Sequence, residues 1–180
     1  MPFHSLIARL SAGRLLGRRT VLHAHGIEVR GNLEFLAQTR EALALLEPTP
    51  FFSDIKRYIA VIQQGRRSGM KADAKRPTFV VGRRTWRHSA LWYAGAIAHD
   101  CYHSKLYHEA KTTSGGKPAA DSWTGSDAEK KCLAFQIETM LSLGADEKTV
   151  AYLRELEKNP VYQERNRGMR SWWNYFRRRW

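Results

Sequence analysis

Residues 90–110, "ALWYAGAIAHDCYHSKLYHEA", decide how the rest of the chain reads. The first nine positions carry no charge, and Ser89 just before them suits a helix N-cap. The stretch therefore predicts a helix that runs from a buried section into a polar one. His99 and His103 stand four residues apart within it. On a helix that spacing turns two side chains by only about 40° and separates them by about 6 Å along the axis. Both imidazoles then face one way, as a shared divalent metal requires. Asp100, directly after the first histidine, places a carboxylate beside the pair.

A third ligand has to come from a neighbouring element. After the helix comes "KTTSGGKPAADSWTGS" (residues 111–126), whose Gly, Pro, Ser and Thr content reads as a loop. It leads into a second helical pattern, "DAEKKCLAFQIETMLSLG" (127–144), closed by Gly144. The loop is long enough to bring the two helices side by side. Glu129, 26 residues beyond His103 and in the first turn, is the first candidate among Asp127, Glu129 and Glu138. Two imidazoles and one carboxylate would hold one Zn²⁺ per chain and leave a coordination position open. Cys132, three residues after Glu129, reads either as a small core residue or as a thiolate ligand.

Further out, "PTFVVGRRTW" (77–86) predicts a strand through Phe79, Val80 and Val81, with a bend at Gly82. "TVLHAHGIEVRGN" (20–32) reads as one extended stretch ending in a Gly-Asn turn. In "NLEFLAQTREALALLEPTP" (32–50), Leu33, Leu36, Ala37, Leu43, Ala44 and Leu46 have helical spacing, Asn32 caps, and Pro48 and Pro50 stop the helix. "FFSDIKRYIAVIQQGRRSG" (51–69) is expected as a second amphipathic helix with Ser53 as cap, and "MKADAKR" (70–76) as a polar loop. A last helix is expected over "DEKTVAYLRELEKN" (146–159), ended by Pro160. The predicted class is α+β: a mostly helical domain with a small β-sheet packed on the histidine-bearing helix.

Formal net charge is +13, from 30 basic and 17 acidic side chains. Residues 1–27 and 160–180 together supply +9 of it, and the residues between them only +4. The reading divides the chain into a basic N-terminal segment (1–27), a metal-binding domain (28–160) and a basic aromatic tail (161–180). Charge concentrated in the ends argues against nucleic-acid binding by the domain as a whole. The two cysteines rule out a disulfide scaffold, and no apolar run approaches the ~20 residues of a membrane span, which places the chain in the cytoplasm as an expectation.

With these elements in place a family likeness emerges. A strand through "TFVVGRRTW", a helix with "HDCYH", and a loop followed by "AEKKCLAFQ" together resemble the zincin metallopeptidases, and among them compact gluzincin-type domains. The resemblance covers residues 77–144. It implies His99, His103 and Glu129 as zinc ligands, Asp100 in the general-base position, and a peptide or protein substrate. It also implies that the strand before the helix is an edge strand lying along the cleft. Tyr107, one turn beyond His103, reads either as a donor to a developing oxyanion or as a packing residue, and His108 likewise. The departure from the family is Asp100, where the motif has glutamate. A side chain one methylene shorter sets its carboxylate about 1.5 Å further away, and misplacement of that order costs ~10²-fold in rate.

Two alternatives stand beside the peptidase. The first is an inactive zincin serving as a binding or scaffold module. The second is an HD-type phosphohydrolase, in which His99 and Asp100 would both ligate metal; this needs a further upstream histidine, for which His88, His23 and His25 are the choices, and a downstream Asp127 or Asp146. Separately, Trp172, Trp173, Tyr175, Phe176 and Trp180 interleave with Arg167, Arg170, Arg177, Arg178 and Arg179 in the tail. That mixture suits an anionic membrane surface or single-stranded nucleic acid, or packing of the rings on the domain.

Overall fold

The computed structural model describes residues 20–158, so the basic N-terminal segment up to residue 19 and the aromatic tail fall outside the described residues. The first two elements are strands, β1 (Thr20–Ala24) and β2 (Ile27–Gly31), joined as an antiparallel hairpin with Ala24 opposite Ile27. The single extended stretch expected here folds back because His25 and Gly26 both take positive φ, 52° and 87°. Two left-handed residues in succession make the turn whose twist matches a hairpin. His25 is held there by Glu47, 2.9 Å from its Nδ1.

Helix α1 (Leu33–Leu46) starts where expected, with the Asn32 side chain accepting from the Phe35 amide at 2.9 Å. The next stretch departs from expectation. Instead of one long helix, α2 (Phe52–Tyr58) stops after two turns, and strand β3 (Val61–Gly65) follows. The cap at Ser53 is also displaced: Phe51 takes that place and the Ser53 hydroxyl reaches back towards the Pro50 carbonyl. The reason is tertiary. Val61 and Ile62 are adjacent and both fully buried, as a strand covered on both faces requires and a one-sided helix does not. Their branched side chains favour that setting.

The polar loop contains a short strand, β4 (Gly69–Lys71), and β5 (Thr78–Gly82) completes a five-stranded mixed sheet in the order β1-β2-β3-β5-β4. β2, β3 and β5 run parallel, and β4 is antiparallel to β5. The strand preceding the histidine helix is therefore interior, not an edge. The edge on that side is β4, which lies against the histidine helix.

A single turn, α3 (Arg83–Trp86), leads to α4 (Ala90–Ser114), 25 residues long and so roughly 37 Å. Ser89 caps it by accepting from the Trp92 amide at 3.0 Å, and Gly115 ends it at φ 66°. The apolar first half of α4 puts Tyr93, Ala94, Ile97 and Cys101 into one core with Ile62 and Phe79 of the sheet, Phe35 of α1 and Trp86 of α3. Burying side chains of this size stabilises the fold by about 1.5–3 kcal/mol each. One turn, α5 (Asp121–Thr124), interrupts the glycine-rich loop. Helices α6 (Ser126–Ser142) and α7 (Glu147–Lys158) follow, and Leu133, Ile137, Met140, Val150 and Leu153 form a second core between them. The α+β class stands. Among the described residues, no helix is long and apolar enough to cross a membrane.

Candidate metal centre

α4 and α6 lie side by side and bring three donors together. His99 and His103 point from one face of α4, their Nε2 atoms 3.2 Å apart. Glu129 reaches across from the first turn of α6, with Oε1 3.2 Å from His99 Nε2 and Oε2 3.2 Å from His103 Nε2. Ligands ~2.0–2.1 Å from a tetrahedral zinc ion stand about 3.3 Å from one another. Each of the three separations is close to such an edge, with the two imidazoles facing different oxygens of Glu129, so the donor set suits this metal once one oxygen turns to it.

The proton positions sharpen the point. His103 Nδ1 lies 2.7 Å from the main-chain oxygen of Trp123, which can only accept. In neutral His103 the proton is thus on Nδ1, and Nε2 carries a lone pair. His99 Nδ1 faces Gln136 Oε1 at 3.1 Å, an acceptor that suits the same tautomer. Two imidazole lone pairs and a carboxylate then converge, each imidazole nitrogen 3.2 Å from the other and from one oxygen of Glu129. All three are acceptors, and acceptors meet this closely only around a positive charge. That charge is either a metal ion or extra protons on the rings. Outer hydrogen bonds that fix ring and tautomer are the usual companions of histidine ligands.

Without metal, protons have to serve. Burial works against a charge on His103, but Cys132 and Glu129 outweigh it and hold the imidazole well above its ordinary pKa. Burial likewise opposes ionisation of Glu129, which is 2% exposed, yet the two histidines keep its carboxyl far below the usual range. Its place in the first turn of α6 adds the positive end of the helix dipole. The side chains of His99 and His103 are 16% and 11% exposed, against 2% for Glu129.

The helices approach this closely because of Gly95, one turn before His99. A β-carbon there would stand 2.5 Å from Met140 Sδ and 3.3 Å from Gln136 Nε2. Gln136, the residue that orients His99, is thus packed against the glycine.

Asp100 is half-buried beside the cluster, within the helical ladder of α4. Burial pushes its pKa up to about 6, moderated by the nearby His99 and His103. Tyr107 is buried, its ring edge-on to Trp123 at 5.2 Å. It thereby supports the segment whose carbonyl orients His103. His108 stacks on Tyr58 at 6.2 Å.

The histidines required by the phosphohydrolase alternative lie elsewhere. His23 and His25 are on the hairpin, His88 is exposed against Trp92, and Asp146 caps α7 through the Thr149 amide at 2.8 Å. Asp127 is exposed.

Cys132 joins the cluster. Its Sγ and the ligand nitrogens of His99 and His103 all lie within 4.8 Å of one another. Its spacing of three from Glu129 is the sequence signal for this placement, since residues three apart share a helix face. The Trp123 carbonyl has no such signal, because any residue in that loop position offers the same atom. No family model, curated protein or solved structure matches the chain.

Proposed function

We propose that the chain is a zincin-like, zinc-dependent hydrolase acting on a peptide or related amide bond. The observation that supports it most is the convergence of two imidazole lone pairs and a carboxylate at 3.2 Å, each ring turned by an outward hydrogen bond. His99, His103 and Glu129 hold the ion, while Gln136 and the Trp123 carbonyl orient the rings. A bound zinc ion would supply Lewis acidity towards a carbonyl and lower the pKa of a bound water towards ~7.

Asp100 is the proposed general base. A carboxylate with a pKa of about 6 is a stronger base than an ordinary aspartate and is still mostly ionised at neutral pH. Tyr107 serves as a positioning residue through its contact with Trp123. Extended substrate would align with β4, the sheet edge that lies against α4, flanked by the exposed Arg66, Arg67 and Lys71. Those cations favour an acidic segment. The buried free thiols Cys101 and Cys132 fit a cytoplasmic setting.

A second reading is favoured by one specific observation. Asp100 is a methylene short of the motif glutamate, which suits a metal-holding module with little turnover. Metal analysis of the purified chain against His103→Ala tests the shared premise: one zinc per chain in the first and none in the second is expected, and full retention in the variant overturns the ligand assignment. Cleavage of a peptide library by the zinc-loaded protein then separates enzyme from module.

A further inference from the structure

We propose that Cys132 is a fourth protein ligand, so that the metal is enclosed by His99, His103, Glu129 and Cys132. The inference rests on the metal reading above. Three observations carry it. The sulfur lies with both imidazole nitrogens in one group no more than 4.8 Å across. In a tetrahedral zinc site, sulfur and nitrogen ligands stand about 3.6 Å apart, so only small side-chain adjustments are needed. Finally, Cys132 is completely buried, and Glu129 and Cys132 are both on the face of α6 that meets α4. A buried thiol within 4.8 Å of two imidazole nitrogens stands where a metal donor would, whereas core packing would surround it with apolar groups.

The consequence concerns what the site can do. Three protein donors leave a vacant position, and four close the sphere. While Cys132 is bound, the chain holds its metal in a closed, structural arrangement. A substrate or water can enter only when the sulfur withdraws. Cys132 thus controls access to the metal.

Cobalt(II) reports on both points without any substrate. Loaded into the full chain, it is expected to give visible bands of tetrahedral intensity together with a near-ultraviolet thiolate-to-cobalt charge-transfer band. Cys132→Ala should keep the visible bands, lose the charge-transfer band and bind cobalt on the order of 10²-fold more weakly. Added azide should change the visible spectrum of Cys132→Ala and leave that of the unmodified chain unaltered. Cys132→Ser, of nearly the same volume, repeats the comparison should the alanine variant unfold, and Cys101→Ser is expected to keep the charge-transfer band. Tetrahedral cobalt bands with no charge-transfer band, or azide sensitivity in the unmodified chain equal to that of Cys132→Ala, would overturn the fourth ligand while leaving the His99, His103 and Glu129 site intact. Failure to bind cobalt at all would overturn both.

Discussion

Gly95 and Met140 meet so closely that a β-carbon on the glycine would lie 2.5 Å from the methionine sulfur. This contact sets the separation of α4 and α6, and through it the span across which Glu129 reaches two histidines. Alanine at position 95 would gain about 1 kcal/mol of helix propensity, and the flexible Met140 can yield, so Gly95→Ala is expected to be nearly neutral in stability. Valine has no such relief. Gly95→Val is expected to cost about 1–3 kcal/mol by overpacking and to weaken zinc binding as the helices separate. Urea denaturation and a competitive zinc titration of both variants measure the two effects.

Glu129 is a buried carboxylate flanked by two imidazoles, so removing its charge should be felt even without metal. Loss of one partner from a buried pair costs about 3–5 kcal/mol. Glu129→Gln is expected to lower the stability of the metal-free chain by an amount of that order and to abolish tight zinc binding. Thermal melts with and without zinc check this: zinc should raise the melting temperature of the unmodified chain and not that of the variant.

The pH dependence has a definite sign. The folded pKa of His103 is raised, so its contribution to the metal-free fold is complete below its unfolded value near ~6.5 and is lost as pH climbs through the raised value. Glu129 is depressed, so its contribution is present above ~4.3 and is lost as pH falls towards its folded value. Stability of the metal-free chain should therefore peak in weakly acidic solution. Zinc must displace the proton on His103, so affinity should rise up to tenfold per pH unit over the range in which that ring is protonated. Isothermal titration at several pH values reads the slope, and a flat profile would contradict it.

Asp100 separates holding a metal from using it. Asp100→Asn is expected to keep one zinc per chain and lose peptide cleavage. Asp100→Glu extends the carboxylate by about 1.5 Å and is expected to raise the cleavage rate by up to ~10²-fold, as judged from the geometric sensitivity of such groups. Rates on a fluorogenic peptide library decide it.

How much of this could be read from the residues depended on range. The caps at Asn32 and Ser89 are local chemistry and appear as expected. His99 and His103 needed only helical spacing, and Glu129 only a helix return through the loop. The stretch from Ile59 to Ile62 misleads because Ile55, Tyr58, Ile59 and Ile62 repeat at helical intervals while the sheet claims the last of them. The same limit hides the sheet order: nothing local tells that β4, three residues long, takes the edge and leaves β5 inside. Cys132 is ambiguous by itself, since a buried cysteine suits both a core and a metal. Only the position of α6 against α4 brings it within 4.8 Å of both imidazole nitrogens.

The most direct measurement is a crystal structure of the zinc-loaded chain with anomalous data collected at the zinc edge. One strong peak about 2.0–2.2 Å from His99 Nε2, His103 Nε2 and a carboxylate oxygen of Glu129 is the expected result. No peak between α4 and α6 in fully loaded protein, or a peak held by other residues, would contradict it.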